Sequence, residues 1–188
     1  MEKETDEALM LRYQAGDAAA FEVLYRRHKT PLYRYMMRNC KDKAISEELY
    51  QDVWTNLIKA RERYEPKAKF TTLLYRMAHN RLVDYYRRQG TQSLVNVDEN
   101  ETSVEELPHN SQVSAEQSID NIRALDCLLL LIDALPDEQR QVFLLRQEAA
   151  LSIQEIASCI GINSETAKSR LRYAMKKLKE GLSEYESG

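Results

Sequence analysis

The amino-acid sequence predicts an all-α protein of two small helical domains joined by a flexible acidic linker. Three observations predict this fold class. Charged residues make up 30% of the chain while glycine occurs only five times, apolar residues recur at steps of three and four, and β-branched residues are scarce in any alternating run. Steps of three and four place side chains on one helix face, whereas a half-buried strand needs strict alternation. We therefore expect helices packed on helices.

The distribution of charge along the chain predicts the domain boundaries. Residues 17–90 carry sixteen Lys and Arg against nine Asp and Glu, a net charge of +7, whereas residues 91–120 carry seven acids and no Lys or Arg. This acidic stretch contains too few apolar residues to offset the entropy that is lost on ordering. We expect a basic domain over residues 5–90, a linker over 91–120 and a C-terminal domain over 121–186.

Three stripes of apolar residues predict the helices of the first domain. They are Phe21, Leu24, Tyr25, His28, Leu32, Tyr35 and Met36; Ile45, Leu49, Val53 and Leu57; and Phe70, Leu74, Met77, Ala78 and Leu82. Pro31 should bend the first helix, because proline removes a backbone donor and clashes with the preceding turn. The third helix ends in two cations, Arg87 and Arg88.

The second domain is expected to contain a helix-turn-helix motif. Pro136 fits the first position of a helix, which places a break just before it. Ser152 and Glu155 form the pattern of a capping box at the start of the next helix, and Gly161 supplies a turn. A longer helix then begins near Ser164. Its expected inward-facing residues are Ala167, Leu171, Ala174 and Leu178.

A short apolar helix followed by a turn and a cationic helix is an arrangement with which proteins bind DNA. The second helix enters the major groove, where cations meet phosphate and polar side chains meet base edges. The residues expected to face the groove are Ser164, Glu165, Lys168, Ser169, Arg172 and Tyr173. For a cationic helix taken alone, an ordinary solvated face is the alternative interpretation.

Membrane insertion, disulfides and cofactors are not expected. No apolar stretch approaches the ~18 residues that cross a bilayer, and the acidic start lacks the order of a signal peptide, so we expect a cytoplasmic protein. Cys40, Cys127 and Cys159 are widely spaced, with no CxxC pair and no His at ligand spacing, so we expect reduced thiols and no metal site. A redox-sensing role stays open for Cys159, because it lies in the helix-turn-helix.

Two segments of the chain resemble conserved regions of bacterial sigma factors. Region 2 is similar to SEELYQDVWTNLIKARERYEPKAKFTTLLYRMAHNRLVDYYRR, and region 4 is similar to ALPDEQRQVFLLRQEAALSIQEIASCIGINSETAKSRLRYAMKKLKEGL. Two such regions joined by a short linker are the layout of the extracytoplasmic-function (ECF) group of the sigma-70 family. The resemblance covers residues 17–182. The chain departs from the family at Leu73, where Trp is usual, and at Ala167, where Val is usual.

This resemblance implies a promoter-specificity subunit without catalytic activity, which binds core RNA polymerase, recognises the -35 and -10 elements and promotes DNA melting. It implies contacts with the β′ clamp and β flap of polymerase, and an anti-sigma factor as a further partner. The positions that match the clamp-binding helix are Glu47, Glu48, Asp52 and Trp54. The positions that match the -10 loop and the melting helix are Tyr64, Lys67, Lys69, Arg76, Asn80, Arg81, Arg87 and Arg88.

Within this set, Tyr64 would stack on a flipped base and Asn80 would read a base edge. The acidic linker would either thread through polymerase or act only as a spacer.

Two other functions stay open. An operator-binding regulator would also use a helix-turn-helix, and it would bind a palindrome as a dimer without polymerase. A metal-dependent hydrolase would use Glu47, Glu48 and Asp52 as ligands. The hydrolase is disfavoured because no His lies at ligand spacing and no nucleophile motif or Gly-rich phosphate loop is present.

Overall fold

The computed structural model describes residues 4–90 and 118–187, and these residues form the expected all-α fold. The helices of the first part are α1 (Asp6–Gln14), α2 (Ala18–Asn39), α3 (Lys43–Ala60) and α4 (Phe70–Arg88), with a 3-10 turn at Arg61–Arg63. The helices of the second part are α5 (Ser118–Ala134), α6 (Asp137–Glu148), α7 (Ile153–Ile160) and α8 (Ser164–Ser187). Within these two ranges no strand occurs.

The three apolar stripes of the first domain lie on α2, α3 and α4 and form its core. Leu24, Val53 and Leu74 are fully buried where these helices meet. Tyr25 differs from the rest of its stripe, because 36% of its surface stays exposed. Pro31 lies inside α2, and the helix continues through it to Asn39.

Short polar residues begin several of these helices. The side chains of Thr5, Asp17 and Asp42 accept hydrogen bonds from backbone N–H groups in the first turns of α1, α2 and α3. Such capping satisfies donors that a helix start otherwise leaves unpaired. The helix boundaries of the first domain are therefore specified locally, with α4 as the case in which the cap comes from elsewhere.

The second domain begins with α5, which packs along α8. Helix α5 starts at Ser118, so the last three residues of the predicted linker are helical, while residues 91–117 lie outside the described residues. Pro136 is the cap of α6 rather than its first residue. In α8, Ala167 and Ala174 are fully buried. At Gly181 a Cβ atom would lie 2.4 Å from Leu131 of α5, so glycine permits the close approach of these helices.

The two domains pack against each other through α2 with α6 and through α4 with α7. Both pairs bring a helix of the basic first domain against a helix of the second domain. No described helix has the length and apolar character needed to cross a membrane.

Candidate DNA-binding and polymerase-binding surfaces

The helix-turn-helix of the second domain is fixed by local hydrogen bonds. Ser152 Oγ accepts from the Glu155 N–H at 3.2 Å, and the Glu155 carboxylate accepts from the Ser152 N–H at 2.7 Å. Gly161 ends α7 with φ of 73°, a left-handed conformation that glycine adopts without steric cost. Asn163 then caps α8 by accepting from the Thr166 N–H at 2.7 Å. The predicted capping box and glycine turn are both present.

The cations of helix α8 differ in their surroundings. Tyr173 is 44% exposed, and the guanidinium of Arg172 lies 4.8 Å from the centre of its ring. Ser164, Lys168 and Ser169 are half-buried. Arg170 instead turns inward, where its side chain is 12% exposed and pairs with Glu138 of α6 at 2.8 Å. Contact of the outward residues with DNA remains a prediction.

The acidic residues expected to meet polymerase lie on the surface of α3. Glu47 and Glu48 are exposed and Asp52 is half-buried. Glu47 accepts a hydrogen bond from the hydroxyl of Tyr33 at 3.3 Å.

The polymerase contact expected of Trp54 stays a prediction, and its ring is buried in the described structure. Trp54 is only 6% exposed, with its ring centre 4.9 Å from that of Tyr25 and 6.0 Å from that of Phe21. A large aromatic side chain supplies much apolar contact area, which explains its place in the core. Trp54 therefore packs α3 against α2.

The loop between α3 and α4 is tied at both ends to α1. Gln14 Nε2 donates to the carbonyl oxygens of Glu62 and Tyr64, both at 3.1 Å. At the other end, the carboxylate of Glu7 accepts from the Phe70 N–H at 2.7 Å, which caps α4 where the preceding residue offers no side-chain cap. Sequence analysis did not identify Glu7 and Gln14, because their partners lie 48 to 63 residues further along the chain.

The expected stacking of an unstacked base on Tyr64 also stays a prediction. Tyr64 is 6% exposed, and burial raises the pKa of its hydroxyl above the ordinary value. Its ring instead contributes to the wall of a pocket of about 330 Å³, together with Leu73 and Met77. Asn80 is exposed on α4 and is not part of that wall.

The cations of α4 and of the loop between α3 and α4 differ in their partners. Lys67 pairs with Glu65 at 2.5 Å, and Arg81 pairs with Asp84 at 3.0 Å. Arg87 and Arg88 are exposed at the end of α4. The remaining two cations face the second domain.

Lys69 and Arg76 are held by α7. Lys69 Nζ lies 2.8 Å from Glu155, and Arg76 Nη2 lies 2.9 Å from Ser158 Oγ. The hydrogen bond from Lys69, followed by those from Ser152, holds the pKa of the Glu155 carboxyl below its ordinary value. Glu155 therefore both caps α7 and pairs with the first domain.

Cys40 and Cys159 are buried thiols, whereas Cys127 is partly exposed. Cys159 is 3% exposed, and burial raises the pKa of its thiol to about 12. Because the thiolate is the reactive form, this environment disfavours the redox-sensing role left open above. All three cysteines are free. In the parts of the chain that the structure describes, no group of three or more His, Cys, Asp or Glu could hold a metal ion.

Comparison with known proteins identifies the family. The family model "Sigma-70 region 2" matches residues 24–92, and "Sigma-70, region 4" matches residues 125–178. The ECF RNA polymerase sigma factor SigK of Mycobacterium tuberculosis is 32% identical over 183 residues, which cover 94% of this chain and 92% of SigK. The sigma factor CarQ of Myxococcus xanthus is 28% identical over 178 residues, which cover 94% of this chain and 97% of CarQ.

Solved sigma-factor structures share the fold. CnrH, in complex with the cytosolic domain of CnrY, matches with a TM-score of 0.65 and 19% identity over 96% of this chain and 98% of that chain. RpoE of Bartonella quintana, in complex with the anti-sigma factor NepR, matches with a TM-score of 0.63 and 18% identity over 87% of this chain and 96% of that chain.

The fold and the helix-turn-helix define a two-domain, DNA-binding transcription protein. The matches to both sigma-70 regions and to SigK go further, and the chain belongs to the ECF group of the sigma-70 family. It is accordingly a sigma factor, a promoter-specificity protein of transcription initiation. The resemblance found from sequence is confirmed.

Proposed function

We propose that the chain binds core RNA polymerase through the acidic face of α3 and directs it to promoters that carry -35 and -10 elements. Glu48 and Asp52 lie one turn apart on α3, and neither has an ion-pair partner among the described residues. They interrupt an otherwise basic domain, which suits a cationic partner such as the β′ clamp. The second domain would meet the β flap.

Recognition of the -35 element is assigned to α8. The observation that carries this assignment is the helix-turn-helix geometry itself, with its capping box, its left-handed Gly161 and an α8 that turns Tyr173 outward. Lys168 and Arg172 are the side chains best suited to phosphate and guanine contacts, while Ser164 and Ser169 offer hydroxyls to base edges.

Opening of the -10 element is assigned to the pocket bounded by Tyr64, Leu73 and Met77. A base that leaves the stack needs an apolar enclosure and edge contacts to offset the cost of unstacking. Leu73 fills less of this pocket than the tryptophan that is usual in the family would. The cations that would follow the opened strand are Lys67, Lys69, Arg76, Arg81, Arg87 and Arg88, with Asn80 beside them on α4.

We also propose that this protein has no catalytic activity, acts in the cytoplasm and is restrained by an anti-sigma factor. Support for such a partner is that RpoE, a structural neighbour, is described in complex with an anti-sigma factor. Residues 91–117, which include most of the acidic linker, would thread toward the RNA path of polymerase.

The decisive experiment is in-vitro transcription with purified core polymerase and a library of genomic fragments. We expect transcripts from a small set of fragments that share two sequence elements. Binding of the chain alone to a palindrome, without transcription, would instead support an operator-binding regulator.

A further inference from the structure

We propose that Gln14 of α1 is a positioning residue for recognition of the -10 element, because its side-chain amide holds the backbone of the loop between α3 and α4. This loop runs from Arg61 to Lys69 and forms one side of the pocket assigned above to the unstacked base. The inference rests on that proposed function and names a residue that acts through the loop and not by contact with DNA.

The loop has few backbone hydrogen bonds of its own. Its 3-10 turn closes where the Tyr64 N–H donates to the Arg61 carbonyl at 3.2 Å, and the Lys67 N–H donates to the Glu65 carbonyl at 2.8 Å. From Tyr64 to Lys69 the backbone is neither helix nor strand. Because backbone groups need partners, a segment with so little internal bonding takes its shape from contacts with neighbouring elements.

The amide of Gln14 provides the most direct of these contacts. Nε2 of Gln14 donates to the carbonyl oxygens of Glu62 and Tyr64, both at 3.1 Å. One amide nitrogen carries two N–H donors, so it satisfies both oxygens at once. The two carbonyls lie on either side of Arg63, and holding both sets the direction in which the chain leaves the 3-10 turn. A glutamate at this position would turn an oxygen toward two oxygens, and an asparagine is shorter by one methylene.

Helix α1 is a firm support for this amide. Met10 and Tyr13 of α1 are buried, and Asp6 accepts from Arg27 of α2 at 2.6 Å. The guanidinium of Arg61 lies 5.2 Å from the ring centre of Tyr13, so a second contact joins the 3-10 turn to α1. A residue that is itself held by packing can hold a binding site within the narrow tolerance that recognition needs.

The residues that Gln14 holds also form the pocket. Tyr64, whose carbonyl oxygen accepts from Gln14, lines the pocket, and so does Met10, which lies one turn before Gln14 on α1. A shift of the peptide after Tyr64 therefore changes the pocket wall and the placement of Lys67, which also lines it. Without the two hydrogen bonds the loop populates other shapes, and only the fraction in the receptive shape binds the base with full affinity.

The test uses the full chain with core polymerase and promoters that differ at single -10 bases. Gln14→Glu keeps the shape of the side chain but replaces the donor by an oxygen, and Gln14→Met removes the donor without adding charge. Gln147→Glu and Gln147→Met make the same chemical changes at an exposed position of α6 and are the controls.

Permanganate reactivity over time gives the rate of strand opening on each promoter. We expect both Gln14 variants to lower the ratio of opening rates between the preferred -10 base and the other bases by about tenfold, because two hydrogen bonds of modest net strength are lost. Polymerase affinity and base preference at the -35 element should match those of the Gln147 controls. A role of Gln14 in stability alone would slow opening on every promoter and leave this ratio unchanged.

An unchanged ratio in both Gln14 variants would overturn the inference, as would an equal fall in the Gln147 variants. The unmodified chain separates this result from failure of the proposed function. If it opens promoters with a base preference that both Gln14 variants keep, only the role of Gln14 is overturned. If the unmodified chain opens none of the promoters, the proposed function and the inference are overturned together.

Discussion

At the scale of a single residue, variants of Tyr64 distinguish a role in packing from a role in promoter opening. Because its ring is buried, Tyr64→Ala should leave a cavity and lower the free energy of unfolding by about 3–5 kcal/mol. Its hydroxyl has no hydrogen-bond partner among the described residues, so Tyr64→Phe should change stability by less than about 1 kcal/mol. Urea unfolding measures both changes in stability, and permanganate reactivity of the opened strand measures promoter opening by each variant. A Phe variant that folds but cannot open promoters would show that the hydroxyl contacts the DNA.

His79 makes the stability of the folded chain depend on pH. Burial lowers the pKa of its imidazole from 6.5 to about 4, so the folded chain binds fewer protons than the unfolded chain between these values. Stability is therefore complete above pH 6.5 and is lost as the pH falls toward 4, by about 2 kcal/mol between pH 7 and pH 5. Urea unfolding at several pH values should show this slope, and His79→Gln should reduce it. An equal slope in both proteins would assign the effect to other groups.

At the scale of elements, the turn between α7 and α8 should require glycine at position 161 because of its left-handed backbone conformation. No neighbouring atom lies within 4 Å of a Cβ built at Gly161, so Gly161→Ala should cost about 1–2 kcal/mol through left-handed strain alone. Ser152→Ala should cost about 1 kcal/mol through loss of the cap. Thermal unfolding measures both, and their effects should add, because the two sites lie at opposite ends of α7.

Within α8, substitution of two neighbouring cations should affect different properties, promoter use for one and stability for the other. Lys168→Ala should weaken use of promoters through the -35 element by about 1–3 kcal/mol if it contacts a base, with little effect on stability. Arg170→Ala should destabilise the second domain, because it removes the partner of Glu138. Unfolding measurements and transcription from single-base -35 variants distinguish the two. The assignment of α8 is contradicted if Lys168→Ala changes neither activity nor base preference.

Helix α7 could be predicted closely because its determinants are local. A capping box and a glycine turn act within three or four residues, and the hydrogen bonds of Ser152 and Glu155 follow directly from their spacing. Helix α1 was not predicted as an element, although Thr5 caps it locally. Its contacts with the loop between α3 and α4 link residues 48 to 63 positions apart and could not be predicted from local pattern. Motif matching placed Tyr64 and Trp54 at functional positions but could not distinguish a buried ring from an exposed one.

At the scale of the whole molecule, polymerase binding should depend on the sign of charge on α3. Glu48→Lys/Asp52→Lys should weaken the affinity for core polymerase and reduce its salt dependence, because a cationic clamp surface would meet like charge. We expect a loss of about 2–5 kcal/mol if the pairs are buried on binding and under about 1 kcal/mol at the rim. Glu22→Lys/Glu184→Lys makes the same change in net charge at other exposed positions and is the control. An equal loss of polymerase affinity in both double variants would show that the effect comes from overall charge and not from α3.

The arrangement of the two domains was beyond prediction from sequence. Segment charges indicate which domain is basic, but the contacts that join the domains link residues 62 to 114 positions apart. Such pairings depend on where folded surfaces meet, and no periodicity within one helix encodes them.

The attachment of the loop between α3 and α4 to α1 bears on how promoter preference can be transplanted between sigma factors. Glu7 and Gln14 lie before residue 24, where the match to region 2 begins, yet they tie the two ends of this loop. A chimera that exchanges residues 61–69 alone would place a foreign loop against Glu7 and Gln14, which are not its own bonding partners. We expect donor specificity to move intact only when the donor's first helix travels with the loop.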